Sequence, residues 1–361
     1  MSVRSLPTEL LLEVFSFLAP PPFESFDVVT PQPYQDLLAC ALVHPDWRTP
    51  AQETLLHEIR ATGIFDDKMA KIGVSLRRAC LRSKPKRLLV DGDLGILLRE
   101  TGDEVWSQTW YVRYTRNSNV STDFRNFARF PGSCCSSFSH PRQKSDVVDS
   151  TALTTLHLEW TKINSSDDPV IFPNLRRLVL DNDLELLGQV TGYKRLFSPE
   201  CMPMVSHLGL AAYADGLHLN DMFGSLLPQI DTLALSDHHS GLAFKSLHLG
   251  AAHLIKLKHL LINYRWRSNA REPLTAAVSR LALESLHFRF LTCRDLGARR
   301  GTLVEQMANI AMGAAGPVTS RRVVMYGSRA VYEAEFPDID SSVFEWREGQ
   351  DVPGLAEFDG Q

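Results

Sequence analysis

The six-residue pattern Leu-x-x-Leu-x-Leu, with Val, Ile or Phe admitted at the apolar places, constrains this 361-residue chain more than any other feature. Copies start at Leu153, Leu175, Val205, Ile230, Leu257 and Leu283, at intervals of 22 to 30 residues, and an out-of-step copy starts at Phe244. In each, the fourth and sixth residues are apolar and the third and seventh mostly polar. That is the alternation of a strand with one buried face. One strand and its return segment cannot bury that face alone. Units recurring at this period bury it against one another, as parallel strands stacked into a solenoid.

The array is expected over residues 151–335, as an irregular leucine-rich-repeat-like series within an α/β chain. Strict repeats of that kind carry Asn three residues after the last leucine. Here Thr161, Asp183, Tyr213, His238, Arg265 and Leu291 stand there. Phe223–Leu227 and Thr275–Leu281 read as helical return segments, Leu303–Met312 as a last helix and Arg322–Tyr326 as a terminal strand. From Phe336 the chain turns acidic and gathers Pro337, Pro353 and Gly354, so 336–361 is expected to be an acidic tail ending in a mobile segment. Strand residues between the buried leucines point to the opposite, concave face. His157 and Glu159, Arg177 and Asp181, His207, His259 and Asn263, then His287 and Arg289 are therefore candidate target-binding residues. Four histidines on one face raise the idea of a metal or pH switch. They come from different repeats, and the expectation is no metal and no cofactor.

Residues 6 to 59 hold a second dense apolar pattern. Leu11, Val14, Phe15 and Leu18 fall at i, i+3, i+4 and i+7, one face of a helix that Leu10 and Phe17 widen. Pro7 suits the first turn, Glu9 complements the helix dipole, and Pro20, Pro21 and Pro22 end the helix. Residues 19–34 read as a loop. A second helix from Gln35 to Val43 carries Leu38, Ala41 and Leu42 on one face and is stopped by Pro45. A third is expected to open with Thr49 as N-cap and Pro50 in its first position. It would bury Ala51, Leu55, Leu56 and Ile59 and leave Trp47 between helices two and three. The three helices carry more apolar surface than they can bury among themselves.

In the order and type of these residues the stretch resembles the F-box, the three-helix motif that binds the Skp adaptor of cullin-based ubiquitin ligases. The matching residues are Leu6-Pro7 with Glu9, then Leu10, Val14, Phe15 and Leu18, then Leu38, Val43, Trp47-Arg48 and Leu55-Leu56. The resemblance implies adaptor contact through Leu6, Pro7, Leu10, Val14, Phe15, Leu18, Leu38, Val43 and Trp47, and through the adaptor a cullin. The chain departs from the motif in the length of the first loop. It departs again at His44-Pro45-Asp46, where a cysteine and basic residues often precede the tryptophan.

Between the two patterns, residues 61–150 read as a connector. Asp66–Arg82 has helical spacing, Lys86–Asp91 and Trp106–Tyr114 read as strands, and 115–151 is a polar, serine-rich insert. The basic cluster from Arg77 to Arg87 is a solvated face. Cys134, Cys135 and His140 match no zinc spacing. The net charge of -4 argues against a nucleic-acid partner, and no apolar run is long enough to span a membrane. Glu9 and Glu13 interrupt Leu10–Leu18 as a signal-peptide core. Six cysteines without framework spacing predict reduced thiols and a cytoplasmic or nuclear protein. No phosphate loop, nucleophile elbow or metalloprotease motif is present, so no catalytic residue is expected. The expected order is a helical segment over 1–60, a connector over 61–150, an array over 151–335 and a tail over 336–361. Its expected role is that of an F-box subunit that holds a target protein near a ligase. The alternative is a scaffold protein outside any ligase, its helices packed only on its own repeats.

Overall fold

A computed structural model describes residues 7–18, 33–63, 66–79, 84–115, 122–123, 127, 130, 134–135, 153–159, 162–164, 170–181, 185–187, 194–211, 219–237, 247, 250–264, 278, 280–289, 305, 307–312, 322–350 and 358. Leu6, most of the loop 19–34, most of the insert 115–151, most of the Thr275–Leu281 segment and most of the out-of-step copy at Phe244 lie outside them. The chain forms two compact units. One is Met1–Asn117 with Asn126–Ser133 and His140–Leu153; the other is Ser118–Arg125, Cys134–Ser139 and Thr154–Gln361.

The first unit opens with three helices, α1 (Thr8–Leu18), α2 (Pro33–Val43) and α3 (Pro45–His57). The third starts earlier than expected. His44, not Thr49, is its N-cap, with Nδ1 accepting from the Asp46 N–H at 3.2 Å, and Pro45 sits at the start of the helix. An imidazole nitrogen here fills the role of a hydroxyl, so the His44-Pro45-Asp46 corner is a working helix start. Trp47 consequently lies inside α3, and Pro50 is a helix-interior proline. Helix α3 runs directly into strand β1 (Glu58–Gly63), so the helices and strands meet without a linker near residue 60. Then follow α4 (Asp66–Ala79), β2 (Arg87–Gly92), α5 (Leu94–Thr101), a 3₁₀ turn at Asp103–Trp106 and β3 (Tyr111–Thr115). Trp106 therefore belongs to that turn and not to the strand expected to begin there. Its indole N–H donates to Thr101 Oγ1 at 2.8 Å. β1, β2 and β3 pair in parallel.

In the second unit eight strands lie in chain order, all parallel. They are β6 (Thr155–Glu159), β9 (Arg177–Asp181), β11 (His207–Ala211), β12 (Thr232–Asp237), β13 (His259–Tyr264), β14 (Ser285–Arg289), β15 (Arg322–Tyr326) and β16 (Glu345–Arg347). Short strands β7 (Lys162–Asn164), β10 (Glu185–Leu187) and β4 (Thr122–Asp123) make a second parallel sheet. β5 (Cys134–Cys135) pairs antiparallel with β8 (Val170–Ile171). All six repeat copies place their first, fourth and sixth residues in the core, from Leu153, Leu156 and Leu158 to Leu283, Leu286 and Phe288. The register aligns like with like: Leu156 with Leu178, Leu208 with Leu233, Leu260 with Leu286.

One backbone device joins successive units. The carbonyl at the second position of a copy accepts from the amides at the second and third positions of the next. Thr154 O takes Arg176 N and Arg177 N at 2.8 and 3.0 Å, and Lys258 O takes Glu284 N and Ser285 N at 2.7 and 3.1 Å. The same device appears in the first unit, where Lys86 O accepts from Trp110 N and Tyr111 N at 3.0 and 3.3 Å. There the register pairs Ile59 with Leu88 and Leu88 with Val112. Ile59-x-Ala61, Leu88-x-Val90 and Val112-x-Tyr114 are thus the fourth and sixth positions of three more repeats. A pattern search misses two of them because Pro85 and Thr109 stand where the first leucine belongs. The segment expected as a connector is built as repeats.

The chain end also differs from expectation. Helix Arg329–Glu335, capped by Ser328, leads to a 3₁₀ turn at Ser341–Val343 and to β16, which pairs parallel with β15. Tyr332, Phe344 and Trp346 pack edge to face at 5.1 to 6.1 Å, and the Trp346 indole donates to Ser341 O at 2.9 Å. Three aromatic rings outweigh the acidic composition that suggested a tail. Phe358 is buried as well. Among the described residues, no helix is long and apolar enough to cross a membrane.

Candidate functional site

Two surfaces hold the residues singled out in the sequence. The first is on the helices. Leu11 and Phe15, one turn apart on α1, close a core with Leu37, Ala41 and Ala51, and Cys40, Trp47 and Leu55 pack against it. The Phe15 and Trp47 rings meet edge to face at 6.1 Å. Phe15 is 2% exposed, so the expectation that it waits for a partner is corrected: it is a core residue. Leu10 and Val14, also one turn apart but rotated about 100° from Leu11 and Phe15, are 47% and 50% exposed. The single apolar face read from the sequence is two stripes, one facing in and one facing out. Leu42 and Val43 at the end of α2 are exposed at 82% and 69%. Pro7 is exposed and Trp47 half-buried. Leu18 and Leu38 lie in α1 and α2, with side chains outside the described residues.

The second surface is the sheet face opposite the leucine core. Register brings Thr155, Arg177, His207, Thr232, His259, Ser285 and Arg322 into one row across seven strands. Two residues further on, Val179, Gly209, Ala234, Leu261, His287 and Val324 form the next row, and His157 pairs with Val179 at its start. The face was expected to be open and polar. Instead His157, His207 and His287 are buried, with Thr155, Thr232 and Ser285; His259 and Arg177 are half-buried. Glu159, Asp181, Asn263 and Arg289 stand in the strands with side chains outside the described residues.

Register brings some of these residues together and keeps others apart. His259 Nδ1 and Ser285 Oγ are 2.9 Å apart, Ser285 Oγ and His287 Nε2 3.0 Å, and His287 Nδ1 and the Tyr326 hydroxyl 3.1 Å. Neighbouring parallel strands, about 5 Å apart, hold these groups in a continuous chain from β13 to β15. Burial is the largest cause that pushes the His287 pKa down to about 4, and the cations Arg347 and Arg322 add to it. His287 is therefore neutral at pH 7, donating through one nitrogen and accepting through the other. Arg322 pairs with Glu345 (Nη2 to Oε1 2.7 Å), and Arg347 lies 5.9 Å over the Tyr326 ring. His157 lies strands away, on β6.

Chemically, a serine hydroxyl bonded to an imidazole is the beginning of a nucleophile. Here the hydroxyl is shared between two imidazoles, the far nitrogen of His287 meets a phenol and not a carboxylate, and Ser285 and His287 are 2% and 0% exposed. The arrangement is a buried hydrogen-bonded network that orients side chains of this face. Among the described residues, no three His, Cys, Asp or Glu side chains are grouped to hold a metal ion.

Sequence reasoning missed Tyr326 and Phe358. Tyr326 ends a strand that was recognised, and its seventh-position place in the repeat would have put it on this face. Phe358 carries no periodic signal. Its ring stands edge to face on His287 at 4.8 Å and tilted against His207 at 6.4 Å. A scan against protein-family models and a search of curated proteins find no match to this chain.

Proposed function

We propose that this chain is a substrate-recruiting F-box subunit of a Skp–cullin–F-box ubiquitin ligase, with α1–α3 binding the adaptor and the sheet face binding a target protein. The observation that carries the proposal is the outward stripe of Leu10 and Val14, with Leu42 and Val43, on helices whose inward residues already close a core. Large apolar side chains exposed on helices that already close their own core mark a surface for a partner. The chain would do no chemistry. It would raise the local concentration of target beside the ligase, and proximity would accelerate transfer. Leu6, Pro7, Leu18, Leu38 and Trp47 complete the proposed adaptor contact by resemblance, and Phe15 supports it from within.

The test is binding of the full chain to a purified Skp-type adaptor. Leu10→Ser with Val14→Ser removes two side chains worth about 1.5–3 kcal/mol each when buried at an interface. Affinity should fall at least about tenfold with the thermal midpoint unchanged. No binding by the wild-type chain, or equal binding by the variant, overturns the proposal and leaves the scaffold reading.

A further inference from the structure

The phenyl ring of Phe358 is 1% exposed although it lies beyond the last strand of the sheet. It packs against histidines on two strands that are not neighbours, His207 on β11 and His287 on β14. The strands between them, β12 and β13, present Ala234 and Leu261 in the same row as His287, and β11 contributes Gly209. Glycine and alanine on consecutive strands carry little side chain above the sheet, and leucine and two imidazoles supply apolar and aromatic surface beside them. His287 is held from both sides by hydrogen bonds to Ser285 and Tyr326 on the same face, which fix the orientation of this wall of the socket. Arg322 and Arg347 act electrostatically on the socket's His287, opposed by the one carboxylate they share, Glu345, so two cations stand against one anion there, and Glu357 and Asp359 flank Phe358 in the sequence.

We infer that this socket is a recognition site for an aromatic side chain set between acidic residues in a short peptide, and that Phe358 fills it in cis as a stand-in for that ligand. Repeat arrays of this kind bind ligands on the face their strands share. A tethered segment competes with a free one at an effective concentration on the order of millimolar. A peptide with an intrinsic Kd of about 100 μM would then bind the wild-type chain roughly tenfold more weakly than a chain with an empty socket. The inference deepens the target-recruiting proposal and rests on it for its biological sense. Its test needs no adaptor, so the two fail separately.

The probe is a fluorescent peptide of the last ten residues, Val-Pro-Gly-Leu-Ala-Glu-Phe-Asp-Gly-Gln, titrated into the full-length chain and read by anisotropy. Phe358→Ala should raise affinity about tenfold. A peptide with Ala for Phe should not bind, one with Gln and Asn for its acids should bind several-fold more weakly, and His287→Ala added to Phe358→Ala should abolish binding. If Phe358→Ala does not keep the wild-type circular dichroism, Phe358→Leu is used; it retains bulk but loses the ring contact and should give a smaller gain. Equal affinity of the wild-type chain and the folded variant overturns the inference, as does no binding to that variant. Binding that ignores the flanking acids overturns the assigned ligand class.

Discussion

Acidification tests the buried network most directly, because His287 must be neutral in the folded state. An exposed histidine protonates near pH 6.5; burial, with Arg347 and Arg322 nearby, holds His287 down to about 4. Between these values the unfolded chain takes up a proton that the folded chain refuses, so stability falls as pH falls. The contribution is whole above about pH 6.5, is lost progressively toward pH 4, and changes no further below it. Integrated over that window, the shift amounts to a loss on the order of 3 kcal/mol. Paired carboxylates add to the loss at the acid end: side-chain bonds to Arg322 and to Lys258 hold Glu345 and Glu284 below the ordinary carboxylate range, so their contribution is also lost as pH falls. His57 is pushed down by burial, Lys86 and Arg87 in the first unit and contributes in the same direction. The assay is therefore a comparison: urea midpoints of the wild-type chain and of His287→Leu at several pH values from 7.5 to 4. His287→Leu carries a constant penalty for the partners it abandons, but His57 and Glu284, on which His287 does not act, cancel. The two curves should converge by about 3 kcal/mol as pH drops. Curves that stay parallel would refute the reasoning.

Phe15→Ala should cost about 3–5 kcal/mol and Leu11→Ala about 2–5 kcal/mol, because each empties part of the helical core. Leu10→Ser and Val14→Ser should stay within about 0.5 kcal/mol, as expected for surface sites; thermal unfolding followed by circular dichroism separates the pairs. Gly92 has φ +142°, and a Cβ there would lie 2.4 Å from Gly63 O and 2.5 Å from Met69 Cε. Gly92→Ala should therefore lower stability by about 1–3 kcal/mol, visible as a lower melting temperature.

The leucine ladder was legible because its signal is local and periodic. Every apolar place from Leu153 to Phe288 is set by strand alternation, and the stack follows from the inability of one unit to bury its face. Repeats at Pro85 and Thr109 were illegible at their first position. Backbone hydrogen bonds to the preceding unit hold those strands in register whatever the side chain there. The N-terminal helices were found for the same reason as the ladder, yet the stripe on α1 was too wide to show which half faces inward. That division depended on α2 and α3, which bring Leu37, Ala41 and Ala51 against Leu11 and Phe15 and leave Leu10 and Val14 without cover.

The sequence by itself determined the repeat period, the parallel order of strands, the buried leucines and the presence of three helices, because these follow from periodicity within short windows. Tertiary structure decided three things that no window contains. It decided which side of α1 is free. It joined His259, Ser285, His287 and Tyr326, residues up to 67 positions apart in sequence, into one hydrogen-bonded chain. It also buried His157, His207 and His287 on the face expected to be open, with the Phe358 ring against the last two. Side chains distant in sequence meet only where strand register and chain return put them, and that placement is a property of the folded backbone.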